Sequence, residues 1–454
     1  MLVARPTVFT GGRAPRTGSR RAHRLARHVA SRLAHRLGLT RRELGLLCLA
    51  VGLGVAVRLA FVVATRGHVL AGDEIEYDIQ GRFFADGMPW WSTTPYGDAH
   101  PSLWKAPGYT AWVGLWYAVL GTSPDRVFAV QAVLLAPVTV TLGFLLARRL
   151  FGAGAGVAAA FVLAVYPFAW QFEVRLFSES LAVPLTTGVL LILLDRPPTR
   201  RVVVATGLLL GAAVLVRPSS LFLFPGVLVA WIAATGWRRG LATTAAATGI
   251  AVLCVAPWTV RNAVVGDGFV PVSIQSAALY CTFNEVAARN EVFPYACQIL
   301  TPGALEVLET PRSDVAFADA LREQALDYIA DNPLSVPQAF FWNGLSRLWD
   351  VRNPARALDE MPFEGRSEAV TAVGLALYLP LLALALWALW RHRARRALVL
   401  PVLAIALAAS VVYTSASGTR YRAPLEPLIV ALACSTPLIA RAGARLAGER
   451  EAPR

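Results

Sequence analysis

Charged side chains are scarce in this sequence: Asp, Glu, Lys and Arg together make up 16% of its 454 residues, whereas 56% of the residues are hydrophobic. A soluble globular domain commonly has about 25% charged residues, so this composition excludes an ordinary soluble protein. Several apolar runs approach the roughly 20 residues that a transmembrane helix needs. The sequence therefore predicts an all-α polytopic membrane protein.

Lysine is almost absent, because Lys105 is the only one among the 43 basic residues. The others are Arg, which give the chain its net charge of +14 and fall mostly in clusters beside the apolar runs. Such clusters are typical of cytoplasmic loops, where Lys and Arg are enriched. The charge therefore indicates a lipid bilayer as a partner and gives no reason to expect nucleic acid.

Cysteine is rare as well, and the five cysteines match no metal-ligand spacing. Three of them lie in apolar runs, while Cys281 and Cys297 share one polar segment. If that segment faces an oxidising compartment, we expect a disulfide between these two residues.

About ten apolar segments are predicted to be transmembrane helices. They are residues 44–65, 126–147, 153–170, 180–194, 202–216, 219–236, 241–257, 369–390, 397–416 and 424–440. The apolar piece 107–120 is short for a span, and counting it as one would place most basic clusters outside the cell. It is therefore predicted to be an interfacial helix, which leaves both termini in the cytoplasm.

This topology divides the chain into a basic cytoplasmic tail, residues 1–43, a transmembrane domain, residues 44–440, and a basic cytoplasmic C-terminus, residues 441–454. Two segments, at about 66–125 and 258–368, then form the outer face, and the second is also expected to carry interfacial helices. Any chemistry at the outer membrane surface has to come from these segments or from the outer ends of the helices.

Four carboxylates stand together directly after the first span: Asp73, Glu74, Glu76 and Asp78. A charge at the bilayer centre costs roughly 2.5 to 3.5 kcal/mol on insertion scales, but a carboxylate just outside the hydrocarbon meets a lipid substrate without that cost. The alternative is a solvated turn beside the membrane. Acids elsewhere in the outer region include Glu179, at the start of a later span.

Several arginines lie on the outer side, where the positive-inside rule disfavours them. They are Arg217, Arg261, Arg420 and Arg422, at or near the ends of spans, and Arg58 toward the outer end of the first span. Arg presents a planar fork of donors that suits phosphate oxygens, so a membrane-bound phosphate would compensate these charges. The alternative is that they pair with outer acids such as Glu179 and Glu426.

Acids and phosphate-binding arginines at a bilayer surface favour group transfer from a lipid phosphate. When the transferred group is a sugar, the departing phosphate needs no proton, so the protein chiefly has to deprotonate the acceptor hydroxyl. A positioned carboxylate typically contributes 10² to 10⁴ in rate by doing so. Arg side chains stabilise the charge that develops on the leaving group.

Five motifs in order along the chain carry a resemblance to a known family. They are Gly-Asp-Glu-x-x-Tyr at 72–77, His-Pro-Ser-Leu-Trp-Lys-Ala-Pro-Gly-Tyr at 100–109, Ser-Glu at 178–179, Pro-Trp-Thr-Val-Arg-Asn at 257–262 and Arg-Tyr-Arg-x-Pro at 420–424. In these motifs the chain resembles the bacterial protein-mannosyltransferase-like, aminoarabinose-transferase-like branch of the GT-C membrane glycosyltransferases, of the family 39 type. The resemblance runs over about residues 44–440.

The resemblance implies an inverting enzyme of a bacterial inner membrane that uses a polyprenyl-phosphate-linked sugar, with Asp73 as the general base. Glu74 would orient Asp73, bind the acceptor or help to hold a possible divalent metal. The acceptor is a lipid, a glycan or a protein. The histidine-containing motif and the large lumenal domain of the eukaryotic protein mannosyltransferases are missing, which weakens the case for a protein acceptor.

Other residues remain open between two interpretations. Lys105 is either a contact to the donor phosphate or sugar, or a lysine that extends to the membrane interface. Glu179 is a second acid of the site or the partner of Arg217. His68 and His100 are expected at the surface, since no ligand spacing supports a metal site.

Two other function classes compete with the glycosyltransferase. A transporter or flippase for a lipid-linked glycan predicts ionisable residues deep in several spans, yet apart from Arg58 the predicted spans are nearly free of charge. A membrane scaffold gives no reason for acids and arginines to converge at one surface.

Overall fold

The computed structural model describes residues 38–93, 98–193, 197–266, 268–309, 313–351, 358, 366–415 and 418–448. Most of the predicted basic tail, residues 1–37, lies outside the described residues, as do residues 449–454 of the predicted C-terminal segment.

The described chain is almost entirely helical. In chain order its elements are α1 (Arg41–Ala64), α2 (Asp73–Ala85), β1 (Trp91–Ser92), β2 (His100–Pro101), α3 (Pro107–Leu120), α4 (Pro124–Phe151), α5 (Ala153–Val165), α6 (Pro167–Trp170), α7 (Glu179–Leu193), α8 (Arg200–Val216), a 3₁₀ turn (Pro218–Phe222), α9 (Leu223–Thr235), α10 (Trp237–Val265), α11 (Ser276–Thr282), α12 (Glu285–Ala288), α13 (Pro302–Glu309), α14 (Asp314–Asp331), α15 (Ser335–Ala339), a π-helical stretch (Phe340–Arg347), α16 (Glu368–Arg391), α17 (Arg396–Val412), a 3₁₀ segment (Thr419–Leu425), α18 (Glu426–Cys434) and α19 (Pro437–Ala447). β1 and β2 form one short antiparallel pair.

The helices confirm a helical membrane protein but not the count of ten spans. Among the described residues, five helices are long and apolar enough to cross a membrane, or up to six if a bent pair counts as one span. Three further apolar helices, α5, α7 and α17, have 10 to 17 residues, fewer than the roughly 20 that cross the hydrocarbon at 1.5 Å per residue. The predicted span 424–440 is broken, with an 85° bend between its two helices.

The membrane helices pack closely where glycines face one another. A Cβ atom added at Gly154 of α5 would strike the backbone oxygen of Ala440 in α19, and one added at Gly443 would strike the backbone of Gly154. Small residues allow such close contact between membrane helices, where van der Waals packing replaces the hydrophobic effect. The N-terminal half of the helical domain is thereby held against its C-terminal end.

A polar layer covers one end of the helices. The predicted interfacial helix is observed as α3, with the bounds Pro107–Leu120, and it packs against α2. Gly81 of α2 allows this contact, because a Cβ there would strike the Val113 side chain of α3. The second outer segment contributes α14, whose Phe317 and Leu321 form a small core with Tyr280 of α11.

Candidate active site

Asp73 stands at the point where the chain leaves α1 and starts α2. Gly72 precedes it with φ +56° and ψ −130°, a conformation that is essentially restricted to glycine. This turn makes Asp73 the first residue of α2, where a carboxylate is favoured by the helix dipole. Its side chain is 36% exposed, so it is accessible to a ligand.

Five charged side chains from five separate positions in the sequence form one connected ion cluster. Lys105 Nζ lies 2.6 Å from Asp73 Oδ1, and Arg420 Nη2 lies 2.7 Å from Asp73 Oδ2. Arg420 also reaches Glu179 through Nε at 2.9 Å, and Arg217 Nη1 lies 2.5 Å from Glu179 Oε1. With three cations and two carboxylates, this cluster carries a net charge of +1.

The cluster fixes the protonation of Asp73. Burial by itself would raise the pKa of Asp73, but the charges of Lys105 and Arg420 outweigh that effect and hold the pKa far below its usual range. For Lys105, burial lowers the pKa, but the neighbouring Asp73 outweighs this and raises it above its ordinary value. Asp73 is therefore ionised, and it is a weak proton acceptor as long as both cations bind it.

Aromatic rings hold the cations in position. Tyr421 lies between two of them, with its ring centroid 4.9 Å from the guanidinium of Arg217 and 4.8 Å from that of Arg420. Lys105 Nζ lies 5.2 Å from the centroid of Tyr77. Contacts between a cation and an aromatic ring contribute about 0.5 to 2 kcal/mol, more when the cation is desolvated.

The cluster lines a polar cavity of about 410 Å³. Asp73, Lys105, Arg217 and Arg420 reach its wall, together with polar groups such as Ser178. A volume of this size is within the range of small-molecule sites. The cavity therefore offers an anionic ligand three cations and one accessible carboxylate.

An apolar groove of about 1080 Å³ adjoins the cavity. The groove runs along the side of α10, where Val252, Val255 and Val260 line it. Four residues line both spaces, namely Pro218, Leu221, Ser273 and Gln275. The two spaces together match an amphiphile with an anionic head and a long apolar tail.

Glu74 does not face the cavity, although it follows Asp73 directly. Its side chain is fully buried, with Oε2 2.7 Å from His68 Nε2, and it accepts hydrogen bonds from the backbone N–H groups of Ala71 and Leu176. These contacts fasten the start of α2 to the segment before α7. Glu74 therefore positions Asp73 and is not placed to touch a ligand in the cavity.

Arg58 also lies away from the cavity. It is fully buried, and its Nε lies 2.7 Å from Glu173 Oε2. The other oxygen of Glu173 accepts a hydrogen bond from Thr139. Glu173 is a single carboxylate between apolar residues, and no pattern in the sequence marks it as the partner of Arg58.

Arg422 and Arg261 are engaged in structural contacts as well. Arg422 is fully buried between Glu426 at 2.7 Å and Asp350 at 2.8 Å. Arg261 donates hydrogen bonds to the backbone oxygens of Ser102 and Trp90, and so fastens the first outer segment to α10. Of the seven residues predicted to bind the donor, three line the cavity, namely Lys105, Arg217 and Arg420. A fourth, Glu179, is buried and binds two of these cations, Arg217 and Arg420.

The remaining predicted residues lie in the two segments at about 66–125 and 258–368. Cys281 and Cys297 form a disulfide that joins α11 to the segment before α13. His100 lies 3.3 Å from Asp314 at the start of α14 and is about three-quarters buried. His68, predicted at the surface, is mostly buried against Glu74.

The site does not fit a divalent metal ion. Among the described residues, no group of three or more His, Cys, Asp or Glu side chains is arranged to hold one. Asp73 and Glu179, the two carboxylates of the cluster, are each bound by two cations. We therefore derive no chemical step through a metal.

Several cavity residues were not predicted. Three of them belong to the motifs quoted above and lie within four residues of a predicted site residue: Tyr77, Ser178 and Tyr421. Their nearness to Asp73, Glu179 and Arg420 was the signal that could have identified them. Ser273 and Gln275 come from the loop before α11, where no sequence pattern marks them.

A family model and solved structures both resemble this chain. Residues 104–260, about a third of the chain, match the family model of the dolichyl-phosphate-mannose-protein mannosyltransferases. This match covers Lys105, Glu179 and Arg217, and it indicates a glycosyltransferase. A search of curated protein sequences finds no match.

Solved structures show the same fold. An oligosaccharyltransferase of Archaeoglobus fulgidus, AglB, in complex with an inhibitory peptide and a dolichol-phosphate, is 17% identical with a TM-score of 0.51, over 91% of this chain and 52% of that one. Its apo form is 16% identical with a TM-score of 0.53, over 91% and 53%. A weaker match, which does not by itself show a shared fold, is ArnT from Cupriavidus metallidurans bound to undecaprenyl phosphate, 17% identical with a TM-score of 0.41, over 86% and 77%.

The chain thus spans about half the length of the oligosaccharyltransferase that it matches. The family match and the fold together confirm the resemblance to the GT-C membrane glycosyltransferases.

Proposed function

We propose that this protein is an integral-membrane glycosyltransferase that moves a sugar from a polyprenyl-phosphate donor to an acceptor hydroxyl, with Asp73 as the general base. The observation that carries the proposal is the convergence of Asp73 with Lys105, Arg217 and Arg420 where a polar cavity meets an apolar groove. A lipid-phosphate sugar has the same two parts, an anionic head and an apolar tail.

The three cations are the proposed phosphate site. A phosphodiester between lipid and sugar carries one negative charge, which the net charge of +1 complements. Lys105 and Arg420 both bind Asp73 directly. Arg217 does not bind Asp73 but is paired with Glu179. A solved structure with this fold holds a dolichol-phosphate, which supports a lipid phosphate of this kind as the ligand.

The reaction follows from this placement. Asp73 takes the proton of the acceptor hydroxyl, whose oxygen forms a bond to the anomeric carbon while the bond from that carbon to the phosphate oxygen breaks. The electron pair stays on the phosphate, where Lys105 and Arg420 stabilise the added charge. In this scheme Glu179 holds Arg217 and Arg420 in place, and Glu74 holds the start of α2.

The basic clusters of the sequence favour one orientation in the membrane, which is part of this proposal. The polar layer that carries Asp73 would face the extracytoplasmic space, with both termini, residues 1–43 and 441–454, in the cytoplasm and the transmembrane domain at 44–440. The acceptor is then a lipid, glycan or protein of the cell envelope that approaches from outside.

The experiment is sugar transfer from a radiolabelled polyprenyl-phosphate sugar by the purified full chain in proteoliposomes, with extracted envelope lipids, glycans and proteins as acceptors. We expect Asp73→Asn to lower turnover by about 10² to 10⁴. Asp86→Asn is the matched control, because Asp86 is exposed at the other end of α2. Normal turnover of the Asp73 variant would refute the base assignment.

A flippase would give a different result. The labelled lipid would change its leaflet in proteoliposomes without loss of its sugar, and Asp73→Asn would leave the chemical identity of the lipid unchanged.

A further inference from the structure

Asp73 is paired with the same two cations that are proposed to bind the phosphate. Its two oxygens are divided between them, Oδ1 on Lys105 at 2.6 Å and Oδ2 on Arg420 at 2.7 Å. Two oxygens of a phosphate group bridge a pair of cations in the same manner. The carboxylate and the phosphate are therefore alternative partners of one site.

Glu179 does not have this property. It binds Arg217 and Arg420 from behind and is fully buried, with 1% of its side chain exposed, whereas Asp73 is 36% exposed on the cavity side. Glu179 thus stays on its cations when a ligand enters, and Asp73 is the carboxylate that a ligand displaces.

We propose that Asp73 and the lipid phosphate compete for Lys105 and Arg420, so that Asp73 expels the spent lipid phosphate after each transfer. This inference rests on the proposed function, since it names what Asp73 does before and after the chemical step.

The charges balance at each stage. The donor phosphodiester brings one negative charge to a cluster of net charge +1. Transfer moves the acceptor proton to Asp73, which becomes neutral and leaves the cluster at +2, while the phosphate becomes a monoester of about −1.5 to −2 charge. Loss of that proton to water restores the carboxylate of Asp73. The carboxylate then pairs again with Lys105 and Arg420, which weakens the binding of the lipid phosphate to these two cations.

Competition also explains how a carboxylate so strongly paired acts as a base. Lys105 and Arg420 keep the pKa of Asp73 far below its usual range while they bind it. A phosphate that draws both cations to itself removes the cause of that low pKa. Proton abstraction is thereby confined to the donor-bound protein.

The test is equilibrium binding of undecaprenyl phosphate to the full chain in nanodiscs at low ionic strength. Asp73→Asn removes the competing charge, and we expect it to bind undecaprenyl phosphate about tenfold more tightly or better, which corresponds to about 1.4 kcal/mol. Asp86→Asn removes the same charge about 20 Å farther along α2, and its affinity should equal that of the wild type.

A double-mutant cycle shows whether the gain comes through the cations. Lys105→Gln should weaken binding, and the gain from Asp73→Asn should shrink in the double variant, because one of the contested cations is gone. Asp73→Ser serves as a second neutral variant, and the thermal unfolding of each variant shows that it is folded.

The outcomes separate the two proposals. Equal or weaker binding by folded Asp73→Asn and Asp73→Ser, when the wild type binds undecaprenyl phosphate, overturns the competition and leaves the proposed function standing. Failure of the wild type and all variants to bind it overturns the lipid-phosphate donor, and the competition with it.

Discussion

The buried pair of Arg58 and Glu173 provides a sharp test of which arginines bind the donor. The sequence predicted a donor contact for Arg58, but in the structure this side chain lies in the protein interior. Arg58 is 0% exposed and Glu173 is 1% exposed. Arg58 also donates to the backbone oxygens of Gly54 at 3.2 Å and Ala164 at 3.4 Å. Arg58→Met removes all these contacts and leaves Glu173 with Thr139.

Removing one partner of a buried ion pair typically costs about 3 to 5 kcal/mol, because the other charge stays buried without compensation. We expect Arg58→Met to lower the free energy of unfolding by about that amount, measured by equilibrium unfolding in mixed micelles. The double variant Arg58→Met/Glu173→Met should recover most of the loss, since an apolar pair leaves no buried charge.

Binding of undecaprenyl phosphate is the second readout for the same variants. The folded fraction of Arg58→Met should bind with wild-type affinity. A loss of less than about 1 kcal/mol together with a large loss of lipid-phosphate affinity would refute the structural role of Arg58 and return it to the donor site.

Three further predictions concern the cations that bind Asp73, Asp73 itself, and the disulfide. Lys105→Gln and Arg420→Gln should each lower the affinity for undecaprenyl phosphate by about 10-fold or more in a nanodisc binding assay, and wild-type affinity in both would contradict the phosphate site. Because the folded pKa of Asp73 is lowered, its contribution to stability is present above its unfolded pKa of about 3.9 and is lost as the pH falls below it. The contribution of Asp73 should therefore be present and independent of pH between pH 5 and 8, and part of the destabilisation below pH 4 in thermal unfolding should disappear in Asp73→Asn. Reduction of the Cys281–Cys297 disulfide, which closes a loop with a sequence separation of 16, should cost about 3 kcal/mol of unfolding free energy, and an unchanged unfolding curve would contradict this.

The sequence allowed the architecture to be predicted because apolar runs and basic clusters are local signals. α3 was predicted with the bounds that the structure has. The number of complete spans was not predictable, because helices such as α5 and α17 are too short to count by length. α5 ends shortly before Pro167, and the predicted span 424–440 is broken shortly before Pro437; each proline starts a new helix.

The site was only partly predictable for a different reason. An arginine beside a span looks the same in sequence whether it meets a ligand or a buried carboxylate. Arg420 and Arg422 are two residues apart in one motif, yet Arg420 reaches the cavity, and Arg422 is enclosed by Asp350 and Glu426. The 3₁₀ geometry of this segment directs the two side chains differently, and the partner Asp350 comes from a distant part of the chain.

Asp73 and Glu74 are another case in which the sequence does not show which of two nearby residues faces the cavity. Consecutive residues at the start of a helix point about 100° apart, so Asp73 and Glu74 face different surroundings. Asp73 faces the cavity, and Glu74 faces His68 and the backbone of Leu176. The choice depends on the segment before α7, whose position no local pattern predicts.

The most direct measurement is an experimental structure of the full chain in nanodiscs with undecaprenyl phosphate bound. We expect phosphate oxygens about 2.7 to 2.9 Å from Lys105 Nζ and from Arg420, with the apolar tail along α10 and with Asp73 released from at least one of its cations. A phosphate bound beside Arg58, Arg261 or Arg422 while Asp73 keeps both Lys105 and Arg420 would contradict the proposed donor site.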